Sequence, residues 1–221
     1  MAIHAETIDC VALSDADLEE MANLATEEPR LFDIGLLSKE QDSWVLITRA
    51  YVNGNLHGFS FCTLERIGGT PSVVVGMASV KRTNRRTTVL KAIMTDQLRR
   101  AVLAFPDEDV LVGARIWRPG AFEAFKSLKN IVPRPDHDTS GEERAWGRRL
   151  VKRFNVDGTY DDRAFTITGR GAPTSALDYA AARPEALDPR VHDYFHGLDP
   201  EEGDCLVAFG WAMVEDLAKL A

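Results

Sequence analysis

The sequence predicts a mixed α/β (α+β) fold in which an antiparallel meander of three strands leads into a strand-helix-strand-helix (βαβα) unit and a C-terminal extension. Two glycine-containing turns separate three runs of β-branched and aromatic residues, a pattern typical of a meander. A long amphipathic helical pattern comes next, and a further strand-like run follows it. Of the 221 residues, 45% are hydrophobic and 27% are charged. This composition excludes disordered, collagen-like and disulfide-rich classes.

The meander occupies the chain from Trp44 to Val80. Its first strand is WVLITRAYV, and the turn Asn53-Gly54-Asn55 leads into LHGFSFCTLERI. A second turn, Gly68 to Pro71, leads into the third strand, Ser72 to Val80. Asn-Gly and Gly-Gly pairs supply the positive φ angles that tight hairpins need, so these three strands are expected to be antiparallel neighbours.

The strongest helical pattern follows the third strand. Its apolar positions share one face, and they are Leu90, Ile93, Met94, Leu98, Ala101, Val102 and Phe105. The run from Val110 to Trp117 predicts a strand, and Pro119 opens a short helix up to Asn130. Because such crossovers are right-handed, the strands 72–80 and 110–117 should lie parallel in one sheet.

The segments before the meander and after Pro135 have a less regular sequence pattern. Ser14 caps a predicted surface helix that Pro29 ends. Beyond Pro135, residues 141–154 predict a helix and 163–168 a strand, whereas 169–204 is rich in Pro, Gly and acidic residues. The last segment, 204–221, fits either a strand running into a helix or a single helix. We expect residues 136–221 to form an extension that packs on a core made by residues 1–135 or covers its cleft.

Charge and cysteine content limit the function classes. With 26 Lys and Arg against 34 Asp and Glu the net charge is −8, which argues against nucleic acid or an anionic membrane as a partner of the whole surface. Cys10, Cys62 and Cys205 are odd in number and far apart, as in proteins of a reducing compartment. The first ten residues lack a basic and apolar leader pattern. We therefore expect a cytoplasmic protein, and a homodimer is one possible oligomeric state.

Positive charge is concentrated where the third strand meets the long helix. Lys81, Arg82, Arg85 and Arg86 lie in this turn, and residues 81–100 hold seven bases and one acid. The turn follows a strand of the parallel pair and precedes a helix N-terminus, where backbone amides and side-chain cations can converge on a phosphate. A solvated helix start, whose charges balance the acidic segments, is the competing interpretation.

The order of these elements, with a basic turn between the central strand and a helix, resembles the GNAT superfamily of acyl-CoA N-acyltransferases over about Leu13 to Pro135. That superfamily holds the coenzyme A pyrophosphate with the motif Gln/Arg-x-x-Gly-x-Gly/Ala. The matching hexad is Arg82-Thr83-Asn84-Arg85-Arg86-Thr87, in which Arg82 fits the first position. Arg85 and Thr87 replace the glycines that allow close backbone approach.

The resemblance implies a GNAT-like acyltransferase domain at 1–135, with acetyl-CoA or another acyl-CoA as co-substrate and a small-molecule or peptide amine as acceptor. The residues it implies for coenzyme binding are Val80, Lys81, Arg82, Asn84, Arg85, Arg86 and Thr87.

In the superfamily an amine attacks the thioester directly, a backbone N–H of the central strand stabilises the oxyanion, and a Tyr on the helix after the next strand commonly protonates the leaving thiolate. Phe122 and Phe125 occupy that helix here. The candidates for a base are Glu65, near the end of the second meander strand, and His57, at its start.

Two other functions stay open. Because the loop glycines and the Tyr are replaced, the chain could be a GNAT-fold binding or interaction protein without catalysis. His192 and His196 are four residues apart, with Asp193 between them. This spacing would suit a metal-dependent hydrolase if the segment were an α-helix.

Overall fold

The computed structural model describes residues 3–25, 32–156, 158–171 and 175–220, which form one mixed sheet with helices on it. The strands are β1 (Ile3–Asp9), β2 (Leu46–Val52), β3 (Asn55–Ile67), β4 (Thr70–Val80), β5 (Val110–Ile116), β6 (Lys129–Val132), β7 (Thr159–Asp161), β8 (Thr166–Thr168), β9 (Leu177–Asp178) and β10 (Cys205–Ala212). The α-helices are α1 (Asp15–Ala25), α2 (Ile34–Ser43), α3 (Arg86–Ala104), α4 (Gly141–Phe154) and α5 (Val214–Leu217).

The predicted meander is confirmed by β2, β3 and β4, which pair antiparallel in sequence order. Its two turns have the expected left-handed residues, with φ of 53° and 82° at Asn53 and Gly54 and 59° and 89° at Gly68 and Gly69. The N-terminal strand β1, which the sequence analysis did not anticipate, pairs antiparallel with β2 along its whole length.

The predicted crossover is also confirmed. Residues 72–75 of β4 pair parallel with residues 111–114 of β5, and α3 connects the two strands. The buried positions of α3 include Leu90, Ile93 and Leu98, so the predicted apolar face is the one that packs on the sheet. The fold class predicted from the sequence, an antiparallel meander continued by a βαβ unit, is therefore correct.

The segment after β5 differs from the prediction. Residues 119–125 form a 3₁₀-helix and not an α-helix, and Lys129–Val132 forms strand β6 against β10. Pro119 at the first helical position starts this helix. Its Phe125 is buried, and the chain then turns into the edge strand.

The flanking helices refine two further predictions. The Ser14 hydroxyl accepts a hydrogen bond from the Asp17 amide (3.3 Å), so Ser14 caps α1 as expected. Pro29 lies outside the described residues. A second helix, α2, was not anticipated, and the Asp33 carboxylate caps it by accepting from the Leu36 amide (2.7 Å).

The C-terminal part of the chain supplies strands to the same sheet. β10 pairs antiparallel with β5 from Leu206–Ile116 to Ala212–Val110, and β8 pairs with β10 on the other side. Every residue of β5 is buried, so both of its backbone edges need hydrogen-bond partners. Strands β8, β9 and β10 of the C-terminal part therefore belong to the same sheet as β4 and β5. No helix among the described residues is long and apolar enough to span a membrane.

The parallel pairing of β4 with β5 stops halfway along the strands. Beyond Val75 and Ala114 the two strands no longer pair, and β9 lies between them. Leu177 pairs parallel with Ala78 on one side and with Ile116 on the other. A piece of the C-terminal part is thus inserted at the carboxyl ends of the central parallel strands.

Helix α4 offers a local test of the fold. Ser140 and Glu143 form a reciprocal capping box at its N-terminus. We expect Ser140→Ala to lower the free energy of unfolding by about 1 kcal/mol, because the Glu143 amide at the helix start loses the hydroxyl oxygen to which it donates. Urea denaturation measures this change. The control is Ser43→Ala, since the Ser43 hydroxyl donates only to the exposed Lys39 carbonyl. Equal losses in the two variants would contradict the capping role.

Candidate functional site

The basic turn predicted from the sequence connects Val80, the last residue of β4, with Arg86, the first residue of α3. It lies at the carboxyl ends of β4 and β5, the edge where open α/β sheets bind ligands. The 19-residue helix α3 directs its N-terminus at this edge. A helix N-terminus adds positive potential to that of the arginines.

The backbone amides of the turn are largely used within the chain. Lys81 N donates to His57 O (2.8 Å) and Thr83 N to Lys81 O (2.8 Å). Arg85 N donates to the Thr83 hydroxyl (3.3 Å) and Arg86 N to Thr83 O (3.2 Å). A turn of this kind binds an anion chiefly through its side chains. This agrees with the absence of the glycines that would bring amides close to a pyrophosphate.

The guanidinium groups of Arg118 and Arg82 lie near the carboxylate of Asp178 at this edge, and Arg86 lies near Arg82. Arg118, which follows β5, places its Nε 2.7 Å from Oδ1 of Asp178 in β9. Burial raises the pKa of Asp178, while Arg118 and Arg82 act to lower it. The pKa of Arg82 is lowered by desolvation and by the like charges of Arg118 and Arg86. Guanidinium groups of this kind can donate charge-assisted hydrogen bonds to an anion.

We call residues 175–182, which carry β9 and Asp178, the inserted segment. Its first residues are held by the core. The Ser175 hydroxyl donates to the buried Glu40 carboxylate (2.5 Å), and Ala176 O accepts from Ala78 N of β4 (3.2 Å).

The later residues of the inserted segment contact the start of α3. The Tyr179 and Thr87 hydroxyls are 3.0 Å apart, and Arg86 donates to Ala181 O (2.9 Å). A Cβ on Gly120 would lie 2.5 Å from Tyr179 O and Ala181 N. Glycine is therefore required where the 3₁₀-helix passes this segment, and the inserted segment is closely packed from both sides.

The structure brings together only part of the predicted coenzyme-binding set. Arg82, Arg86 and Thr87 converge on the inserted segment, as described above. Asn84 is exposed. Arg85 caps α3 without a side-chain cap hydrogen bond and lines a groove between α3 and β1.

The two predicted bases lie at opposite ends of the sheet. Gly58 pairs with Val80, so the neighbouring His57 lies at the edge of the basic turn. Glu65 pairs with Ser72 at the other end of β4, eight residues or about 26 Å away. Its carboxylate accepts from Arg153 of α4 (2.5 Å). The structure therefore brings His57 to the turn and does not bring Glu65 there.

The sequence analysis missed Arg118 and Asp178. Arg118 directly follows the predicted strand 110–117. Since the carboxyl ends of parallel strands share one edge, this position alone could have pointed to it. Asp178 gave no such signal, because its strand is two residues long and lies in a segment rich in Pro and Gly.

Phe122 and Phe125 serve packing. Phe125 is 1% exposed, and the Phe122 ring lies 6.3 Å from the Phe125 ring and 6.4 Å from that of Tyr194. Neither side chain can donate a proton. The phenol that the resemblance implies at this helix is thus absent from these two positions.

The histidine pair does not form the expected helical face. His192 and His196 are exposed, and residues 189–195 form a 3₁₀-helix, not an α-helix. With three residues per turn, positions four apart point in different directions. No group of three potential metal ligands occurs within the described ranges. The spacing argument for a metal-dependent hydrolase is therefore wrong.

In comparisons with known proteins, no family model and no curated protein matches the sequence. Solved structures with a similar arrangement include the ribosomal-protein-S18-alanine N-acetyltransferase of Escherichia coli, at 10% identity, covering 94% of each chain with a TM-score of 0.40. Ard1 of Thermoplasma volcanium aligns at 16% identity over 62% of this chain and 90% of its own, with a TM-score of 0.41.

The ribosomal-protein-alanine N-acetyltransferase of Brucella melitensis biovar Abortus 2308 aligns at 23% identity over 47% of this chain and 74% of its own, with a TM-score of 0.36. Two of the three are N-acetyltransferases by name.

The buried carboxylate of Asp178 predicts a pH dependence of stability. Between the ordinary Asp pKa of about 3.9 and the raised native pKa, the native protein binds more protons than the unfolded chain. The free energy of unfolding therefore falls as pH rises through this window. We expect Asp178→Asn to remove that fall, so the variant gains stability relative to the natural chain as pH rises. Urea titrations at a series of pH values measure the difference.

Asp188 provides a control of opposite sign. A hydrogen bond from Arg190 lowers the pKa of this exposed carboxyl to about 2, so its stabilising effect is lost as pH falls through that value. Asp188→Asn should lose stability relative to the natural chain as pH rises. The same trend in both variants would contradict the assignment for Asp178.

Proposed function

We propose that this protein is an N-acyltransferase that transfers an acetyl or related acyl group from an acyl-coenzyme A to an amine. The observation that carries the proposal is the clustering of the guanidinium groups of Arg82, Arg86 and Arg118 at the carboxyl ends of β4 and β5. This charge lies at the carboxyl ends of two parallel strands and beside the N-terminus of α3. Open α/β sheets bind their ligands at such an edge. The surrounding fold is an antiparallel meander continued by a βαβ unit.

The coenzyme's phosphates are the groups that this cluster would bind. Guanidinium forks form paired, charge-assisted hydrogen bonds with phosphate oxygens. Arg82 and Arg86 flank the start of α3, and Arg118 approaches from β5. The pyrophosphate of an acyl-coenzyme A would then be held by side chains from two neighbouring strand ends, in place of the amides of a glycine-rich turn.

The reaction itself is a direct displacement. The lone pair of the amine attacks the thioester carbonyl carbon, the C–S bond breaks, and the products are an amide and the free thiol of the coenzyme. A base accepts the proton that the amine loses. The leaving thiolate takes up a proton in turn, so the number of protons is balanced. His57 is our candidate for that base, since its residue on β3 neighbours the end of β4.

A distortion of β4 is compatible with an oxyanion site. Gly76 and Met77 of β4 oppose the single residue Phe61 of β3, which is the signature of a β-bulge. Bulges redirect backbone groups away from the strand ladder. We propose that an N–H of β4 close to this bulge stabilises the oxyanion of the tetrahedral intermediate.

A second candidate function is a binding protein of the same fold without catalysis. Two observations favour it. The inserted segment lies in the ligand-binding edge, and Phe122 and Phe125 are packing residues with no proton to donate. Binding of acetyl-CoA together with release of its thiol supports the acyltransferase, whereas binding without turnover for any amine supports the second function.

The arginine cluster gives the first test. We expect Arg82→Ala and Arg86→Ala each to weaken acetyl-CoA binding roughly ten- to hundredfold, because each removes a charge-assisted hydrogen bond. The double variant should lose more than either single one. Isothermal titration calorimetry measures the dissociation constants, and thermal unfolding shows whether the fold is preserved.

The matched control removes two arginines from the far side of the sheet. Arg148 pairs with Asp162 on the surface, and Arg163 follows β7. Arg148→Ala with Arg163→Ala changes the net charge equally and should leave the acetyl-CoA affinity within about twofold. If both double variants bind acetyl-CoA like the natural protein, the basic turn is only a solvated helix start.

The proposed base gives a second test. We expect His57→Gln to lower kcat about a hundredfold or more while leaving the dissociation constant of acetyl-CoA unchanged, since proton removal and not coenzyme binding is affected. Thiol release from acetyl-CoA with a panel of small amines and peptides measures kcat. The control is His196→Gln, at an exposed histidine outside the site. Equal activity of the two variants would exclude His57 as the base.

A further inference from the structure

A cavity of about 360 Å³ runs along α3, where this helix meets the 3₁₀-helix 119–125 and the C-terminal helix α5. We propose that this cavity binds a medium-chain alkyl carboxylate, with the alkyl chain between the three helices and the carboxylate at Lys91. Such a site needs neither the arginines of the basic turn nor a thioester, so it is independent of the proposed function.

The walls of the cavity are mainly apolar. Leu90, Met94 and Leu98 of α3 are four residues apart, so their side chains form one continuous ridge along the helix. Leu128 and Leu217 line the cavity from the other two elements. All five side chains are at most 6% exposed. An apolar cavity of this kind holds water poorly and takes up apolar molecules, as a site for an alkyl chain requires.

The size of the cavity fits a chain of medium length. An apolar cavity of about 150 Å³ is enough for one benzene molecule, and this cavity is more than twice that size. Thr87 and Leu98 both line it, and the eleven residues of α-helix between these positions rise about 16 Å. An extended chain of about ten carbons can lie within this length and volume.

Lys91 lies at the rim of the cavity. It is one helical turn from Thr87 on one side and from Thr95 on the other, and these three side chains form a polar row beside the apolar ridge. Lys91 itself is exposed. A ligand with an apolar chain and one charged end matches this division between a buried interior and a polar rim.

The charges of the lining decide the sign of the ligand. The Glu123 carboxylate lies 3.6 Å from the Lys126 ammonium, and the Asp216 carboxylate accepts from the Lys219 ammonium (2.6 Å). Within the described ranges Lys91 makes no ion pair. An alkyl carboxylate would give Lys91 a partner while its chain fills the interior. An alkylammonium would instead add a second positive charge at this rim.

A chain-length series tests the apolar part of the site. The probes are hexanoate, octanoate and decanoate, added to the natural protein without coenzyme, and isothermal titration calorimetry measures their dissociation constants. Each buried CH₂ group contributes about fourfold to affinity, so a chain two carbons shorter should bind roughly tenfold more weakly. Equal binding of hexanoate and decanoate would overturn the proposal, as would a failure to detect decanoate binding.

Lys91→Met tests the carboxylate contact, since methionine keeps an unbranched apolar side chain and removes the charge. We expect this variant to bind decanoate about three- to tenfold more weakly than the natural protein. It should bind the uncharged 1-decanol with the affinity of the natural protein. The matched control is Lys152→Met, at an exposed lysine of α4, which should change neither affinity. Equal decanoate affinities of the two variants would overturn the proposal.

Leu98→Phe tests the position of the alkyl chain. The larger ring fills part of the cavity, so decanoate and 1-decanol should both bind about tenfold more weakly or worse. The matched control is Leu103→Phe, at a leucine of the same helix that is 80% exposed and does not line the cavity. Thermal unfolding shows whether both variants keep the fold. Unchanged decanoate binding by a folded Leu98→Phe variant would overturn the proposal.

Acetyl-CoA distinguishes this cavity from the coenzyme site of the proposed function. If the two sites are separate, saturating decanoate leaves the dissociation constant of acetyl-CoA within about twofold. Direct competition between the two probes would assign the cavity to the coenzyme site and overturn the inference. A lack of acetyl-CoA binding would contradict the proposed function alone, because binding of decanoate needs no coenzyme.

Discussion

The structure depends on one constraint, the need to pair the buried backbone of β4 and β5 after these parallel strands separate. Buried N–H and C=O groups without partners are costly. Residues 72–75 and 111–114 satisfy each other, but Ala78 and Ile116 do not pair with one another. β9 supplies the missing partners on both sides. The same pairing fixes Asp178 at the carboxyl edge of the sheet, next to the basic turn.

This arrangement joins a structural requirement to the chemistry of the site. Among the described residues, Asp178 contributes a carboxylate beside the guanidinium groups of Arg118 and Arg82 at this edge. The acyltransferase proposal requires that these guanidinium groups bind the phosphates of the coenzyme. The proposed acyltransferase and the proposed binding protein would use this same edge, and they would differ in whether a bound acyl-coenzyme A is turned over.

Much of the fold could be predicted because its signals are local. The two turns with left-handed residues, the apolar face of α3 and the β-branched run of β5 are each contained in a short window of sequence. The elements that were missed or misread have no such signal. β9 contains two residues and is a strand only because β4 and β5 lie on either side of it. Pro119 starts a helix at residues 119–125, as its position predicts. That helix is a 3₁₀-helix, and its Gly120 packs tightly against the inserted segment.

For the site, the sequence by itself determined the basic turn, its place between a buried strand and a helix, and the loss of the loop glycines. Only the tertiary structure decided which groups meet there. It brings Arg118 and Asp178 to the turn from positions 36 and 96 residues after Arg82, and it leaves Glu65 at the opposite end of the sheet. The reason is physical: charge and periodicity are properties of a short segment, whereas the partner of a buried carboxylate depends on which strand ends share an edge.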